Sequence, residues 1–261
     1  MRISSLFLTV AVILTPSLAL AEEQSNRGLE IAIEADNRSN GFIDSSANMK
    51  MILTNRHGES STRELRVRSM EVENDGDKSM TIFDTPADVK GTALLTFSHK
   101  VNNDDQWLYL PALAKIKRMS SSNKSGPFMG SEFAFEDLAS QEVEKYRWTF
   151  IKEEKLADVD TFVLERIPVD RKSGYTKQII WIHKTEYYAV KIDFYDRKKS
   201  LLKTLVNSDF KLYKDTFWRT HMMNMKNHQT GKSTELVWSD IVFDNGYKVR
   251  DFAKNSLKRI K

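Results

Sequence analysis

Three short stretches carry the residue types of a catalytic or phosphate-binding site, and spacing tests each of them. Ser121-Ser122-Asn123-Lys124 fits the S-x-x-K of serine acyl-transfer enzymes, with Lys124-Ser125-Gly126 following at once. That chemistry needs a serine opening a buried helix, plus separate S-D-N and K-T-G elements; here everything falls in one polar loop. Gly231-Lys232-Ser233 has the tail of a phosphate loop, but Lys226 stands where the leading glycine belongs. The backbone cradle is missing, and a hairpin turn is the simpler reading. Asp104-Asp105 offers two carboxylates, yet ahead of Gln106-Trp107 they read as a turn entering a strand. His57, His99, His183, His221 and His228 show neither an H-E-x-x-H pattern nor ligand spacing to one another. Cysteine is absent, which removes disulfides, thiolate metal sites, cysteine nucleophiles and a lipid anchor on an N-terminal cysteine. There is no G-x-S-x-G. The residues predict no enzyme, no metal and no cofactor.

Composition narrows the remaining classes. The chain has 261 residues, 40% hydrophobic and 29% charged, the balance of a folded protein. A net charge of +4 is too near neutrality to point to a nucleic-acid partner. Residues 1–21 (MRISSLFLTVAVILTPSLALA) place Arg2 before an apolar run from Leu6 to Leu14 and end on Ala19-Leu20-Ala21. That is the pattern of a secretory leader cleaved after Ala21, and its apolar run is too short to span a bilayer core of about 30 Å. The expected mature chain is residues 22–261, one exported domain without a transmembrane segment.

The elements that must position any site are mostly strands. Arg27 to Asn37 sets Leu29, Ile33 and Asp36 or Asn37 at helical spacing, and Asn40-Gly41 stops the helix. From there the period becomes two. Ala47–Leu53, Thr62–Glu73, Lys78–Asp84, Thr92–Ser98, Gln106–Leu110, Tyr146–Glu153, Thr161–Ile167, Thr176–His183, Ala189–Tyr195, Leu201–Tyr213, Phe217–Asn227 and Thr234–Phe243 are candidate strands separated mainly by turn residues. No βαβ rhythm appears, so the sheet is antiparallel. A sheet of more than about ten strands must curl, which predicts a barrel or half-barrel.

Pro111 to Leu138 breaks the alternation. A polar loop, Ser120–Gly126, leads into Pro127-Phe128-Met129-Gly130 and then Glu132 to Leu138, where Phe135 and Leu138 are spaced as on a helical turn. Trp107 to Leu110 and Ile179 to Ile182 are apolar on both faces of their strands. Such strands are either packed on both sides or line a cavity for an apolar ligand, and the ten methionines suit a surface that accommodates varied apolar partners.

The block Gly91–His99, Asp104–Leu113, Lys117-Arg118 and Ser121–Phe133 closely resembles the LolA-like outer-membrane lipoprotein-sorting proteins, and the resemblance extends over essentially the whole mature chain. Ala114 departs from it, where a basic or polar residue is more usual in the family. The resemblance implies a mainly β fold: a single curled antiparallel sheet forming an unclosed half-barrel of about eleven strands, with a few helices over its concave face. It implies a periplasmic carrier of lipid or lipoprotein acyl chains, working with an inner-membrane transporter and an outer-membrane acceptor. The competing reading is a non-carrying adaptor or sensor of an envelope transporter complex. Leu95, Phe97, Trp107, Tyr109, Phe128, Met129, Phe133, Phe135 and Leu138 are the expected groove and lid, forming one continuous ligand surface with Phe128–Leu138 as the lid. Lys115, Lys117 and Arg118 are the expected contacts to a headgroup or partner.

Overall fold

A strand that buries one face still needs hydrogen-bond partners along both edges, and here thirteen strands meet that need in one antiparallel sheet. The computed structural model describes residues 16–120 and 123–259. Most of the expected leader therefore lies outside the described residues, as do Ser121 and Ser122 of the S-x-x-K stretch. Strands β1 (Asp44–Thr54), β2 (Ser60–Met70), β3 (Lys78–Thr85), β4 (Ala93–Phe97), β5 (Asp105–Leu110) and β6 (Lys115–Met119) form one meander. A second meander contains β7 (Tyr146–Leu156), β8 (Val159–Pro168), β9 (Lys177–His183), β10 (Ala189–Tyr195), β11 (Leu201–Tyr213), β12 (Phe217–Asn227) and β13 (Ser233–Phe243). Pairing of β1 with β13 joins them, giving the order β6-β5-β4-β3-β2-β1-β13-β12-β11-β10-β9-β8-β7. The sheet is not closed, and β6 and β7 are its two free edges.

Laid flat, thirteen strands would measure on the order of 60 Å across. Yet Leu94 and Leu108 near one edge share a single apolar cluster with Leu164 and Ile180 near the other. Only a strongly curled sheet allows this, as the alternation predicted. The strand count exceeds the expected eleven. The strand missed from the sequence, β6, reads Lys-Ile-Lys-Arg-Met; its charges suit an exposed edge and hide its period.

Helix α1 (Pro16–Ser39) is longer than the predicted Arg27–Asn37 and presents a different face to the sheet. Leu29 and Ile33 are 41% and 44% exposed, whereas Gly28, Ile31 and Ala32 are buried. The choice is steric. At Gly28 an added Cβ would stand 2.6 Å from the backbone nitrogen of Phe150, so α1 lies directly against β7 there and no side chain fits at that point. The helix ends where Gly41 takes a φ of +92°, as Asn40-Gly41 suggested.

Topology also fixes the path of the irregular middle. Because β6 and β7 are opposite edges of an open sheet, the chain between them must cross the concave side. That crossing segment carries Phe128, Phe133 and Phe135 into the main cluster, where Phe128 lies 5.6 Å from the Phe83 ring and 5.5 Å from that of Phe135. A second apolar cluster covers the outer face of β2–β5: Met70, Met80, Ile82, Ala93, Leu95 and Trp107, closed over by Phe252 and Leu257 of the C-terminal residues.

Candidate functional site

A buried irregular segment must satisfy its own backbone, and the crossing segment does so with polar side chains from the sheet. Gln106 donates to the Phe135 carbonyl at 2.9 Å, and Thr234 Oγ1 accepts from the Glu132 amide at 2.9 Å. Lys203 Nζ donates to the Glu132 carbonyl (2.8 Å) and the Asp137 carboxylate (2.7 Å), which also accepts from the Tyr175 hydroxyl. Lys124 pairs with Asp170 at 2.6 Å, and Glu136 accepts from Ser173 Oγ and the Gly174 amide, each at 2.8 Å. These contacts tie the segment to β5, β11, β13 and the β8–β9 turn.

Beside the segment, between α1 and the concave face, lies a cavity of about 480 Å³, within the ~300–1,000 Å³ range of ligand pockets. Ala32 and Ala35 of α1, Val143, Trp148 of β7, and Ile180 and Ile182 of β9 make its apolar wall. Two arginines also line it. Arg166 of β8 is 4% exposed; its Nε donates to Gln178 Oε1 at 2.6 Å, and its guanidinium lies 4.4 Å from the Tyr146 ring and 5.5 Å from that of Trp148. Arg219 of β12 donates to the carbonyls of Trp218 (3.0 Å) and Ser39 (3.3 Å), among the rings of Phe42, Phe217 and Phe243. Neither makes an ion pair among the described residues. Burial draws both guanidinium pKa values below their ordinary level.

Three acids, Asp36, Asp77 and Glu142, line the same cavity. Burial, reinforced by the nearby Glu71 charge, pushes the Asp77 carboxyl up to about 6. Burial and the Asp77 charge push Glu142 up to about 7. Asp36 of α1 is also raised, chiefly by burial. Between pH of about 4 and about 7 the folded state thus holds protons that the unfolded chain has already released. Stability from these groups is full below the ordinary carboxylate range and falls as pH rises through that window. Glu142→Gln should flatten this decline and raise stability at pH 8, as read from urea midpoints across a pH series; an unchanged slope would place the titration elsewhere.

None of the twelve residues singled out from the sequence lines this cavity. Phe128 (0% exposed), Phe133 and Phe135 are interior, with Met129 and Leu138 packed beside them. Leu95 and Trp107 belong to the outer cluster, with Phe97 and Tyr109 against it. The expected single surface is therefore two surfaces on opposite sides of one sheet, because Leu95 and Trp107 alternate with the inward Leu94 and Leu108. Lys115, Lys117 and Arg118 sit on the free edge β6, with Arg118 paired to Asp105. Ile180 and Ile182 do face the cavity; Trp181 between them points outward, under the Lys191 ammonium at 4.0 Å. Among the described residues no cluster of three or more metal-ligand side chains occurs, and no helix is long and apolar enough to cross a membrane.

A family model described as "Uncharacterized protein" matches residues 75–259. An outer membrane lipoprotein-sorting protein domain from Vibrio parahaemolyticus is 59% identical in solved structure, with a TM-score of 0.89, over 90% of this chain and 100% of that one. A DUF1329 family protein from Desulfovibrio piger is 30% identical, with a TM-score of 0.85 over 90% and 99% of the two chains. A LolA superfamily protein from Nitrosomonas europaea shares the fold at 22% identity and a TM-score of 0.71, over 88% and 98%. No curated protein matches the chain.

Proposed function

The chain belongs to the family of outer-membrane lipoprotein-sorting proteins and has the fold of a LolA superfamily protein, and from that premise we propose that it is a periplasmic carrier sheltering the acyl chains of a lipid or lipoprotein in the concave-face cavity. One observation carries the reading: an apolar wall stands beside two guanidinium groups that make no ion pair among the described residues, although Asp77 lies near enough to Arg219 to feel its charge. Hydrocarbon gains about 0.8 kcal/mol per CH₂ removed from water on such a wall. A charged guanidinium held in low-dielectric surroundings gains most from an anionic group brought to it. An amphiphile with an acyl chain and an acidic head satisfies both. In this reading residues 1–21 are the leader removed after Ala21, and residues 22–261 are one domain passing cargo from an inner-membrane transporter to an outer-membrane acceptor.

Solvent extraction of the protein purified from the periplasm, followed by lipid mass spectrometry, tests the proposal. The expected result is near-stoichiometric lipid in the wild type and much less in Ala35→Trp, whose indole occupies the space between α1 and the sheet. A wild type that carries no lipid but holds a stable protein partner would instead make the half-barrel an adaptor.

A further inference from the structure

The residues after β13 form the outer wall of the second cluster. Phe252 and Leu257, both essentially inaccessible, anchor them over Trp107 and Leu95. The side chains left outside are basic. Within residues 248–259, Lys248, Arg250, Lys254, Lys258 and Arg259 accompany one acid, Asp251, a local net charge of +4 that equals that of the entire chain. Asp251 is itself engaged, accepting the Lys248 amide at 2.8 Å.

Between these residues and β2–β3 opens a cleft of about 620 Å³, floored by Met80 and Ile82 and bordered by Arg66, Arg68, Arg250 and Arg259, with Asp251 and Ser256 completing the lining. The four cations are not equivalent. Arg66 is committed to Asp84 through bonds of 2.8–3.0 Å. Arg68 lies 5.7 Å from the Tyr247 ring, whose backbone amide is fixed on the buried carboxylate of Asp44 at 3.0 Å. Arg68, Arg250 and Arg259 make no ion pair among the described residues. Asp251 offsets one of these three charges, and an anion seated in the concavity balances the excess that remains. A guanidinium fork matches two oxygens of a tetrahedral anion, which a flexible ammonium does not.

We propose that this cleft is a phosphate-group binding site, with Arg68, Arg250 and Arg259 as its ligands. It lies on the outer face of the sheet, and neither its occupancy nor its test depends on cargo in the concave-face cavity. The chemistry is shared by inorganic phosphate and by the phosphodiester of an anionic phospholipid headgroup.

The experiment uses the full mature chain, titrated calorimetrically with inorganic phosphate. It is also sedimented with vesicles of phosphatidylcholine alone and of phosphatidylcholine with phosphatidylglycerol. Wild type should bind in one of the two formats. Binding of inorganic phosphate, with vesicle binding competed by it, assigns a free-phosphate site. Sedimentation with phosphatidylglycerol vesicles that inorganic phosphate does not displace assigns the headgroup. In either case Arg250→Gln/Arg259→Gln should weaken binding at least about tenfold, from the loss of charge-assisted hydrogen bonds. Arg250→Lys/Arg259→Lys, which keeps the charge but not the fork, should also weaken it. Both substitutions are at exposed positions, and unchanged thermal midpoints verify the fold. Wild-type affinity in the lysine variant, equal affinity for a short DNA duplex, or no binding in either format overturns the proposal.

Discussion

Lys203→Met is expected to cost the fold about 3–5 kcal/mol, the range for stripping one partner from a buried ion pair. Lys203 and Asp137 have side chains only 4% and 8% exposed. Asp137 keeps the Tyr175 hydroxyl at 2.8 Å and the Ala134 amide at 2.7 Å when the ammonium is removed, but it loses its counter-charge. Burial, with Asp137 beside it, holds the Tyr175 phenol well above its ordinary pKa, so it stays a neutral donor and cannot replace the lost positive charge. The Glu132 carbonyl loses its donor in the same step. The readout is a large drop in urea midpoint for Lys203→Met. Lys203→Met/Asp137→Leu should recover much of the loss, because a packed apolar pair needs no counter-charge. A single variant within about 1 kcal/mol of wild type would mean that water reaches the pair. The pair joins β11 to the crossing segment, so its loss should also loosen the wall next to the cavity.

That crossing segment shows where sequence reasoning stops. Its break in alternation is plain in the sequence from Pro111 to Leu138, and so are the aromatic residues that follow the polar loop. Their destination was not legible. Whether Phe128 closes a mouth or fills an interior depends on β6 and β7 being opposite edges of one sheet, and strand order is a non-local property. The same limit applies to Leu95 and Trp107. Alternation separates Leu94 from Leu95, but it does not state which of the two faces inward.

The strands themselves were legible because nearly all bury one face, which imprints period two on the sequence. Helix α1 was legible in existence but not in orientation. Its exposed Leu29 and Ile33 look like a core stripe, whereas the buried face carries Gly28, Ile31 and Ala32, turned inward by the close approach of Gly28 to β7. The cavity arginines left a signal that could have been read. Arg166 is in phase with Phe162 and Leu164 on β8, and Arg219 with Phe217 and Met225 on β12. A cation at an inward position is costly unless something meets it. That mismatch marks the cavity better than any aromatic residue.

Trp107→Ala, Phe128→Ala and Trp148→Ala separate core from site by combining two measurements. Each removes a large buried aromatic, so each should lose about 3–5 kcal/mol of stability. Their effects on lipid retained per folded molecule should differ. Trp107 lies on the outer face beneath Phe252 and Leu257, and its loss should leave retention unchanged. Phe128 is wholly interior, packed on Phe83 and Phe135, and its loss should likewise destabilise without emptying the cavity. Trp148 is different. It lines the cavity, donates its indole N–H to the Val143 carbonyl at 2.9 Å, and supports the Arg166 guanidinium from below. Its truncation should lower retention several-fold even under conditions that keep the variant folded, because the apolar wall and the seat of the cation are lost together. Denaturant midpoints and extracted lipid, measured on the same preparations, give both coordinates. If Trp107→Ala emptied the cavity while Trp148→Ala kept its lipid, the ligand would lie on the outer face of the sheet and the concave-face assignment would fail.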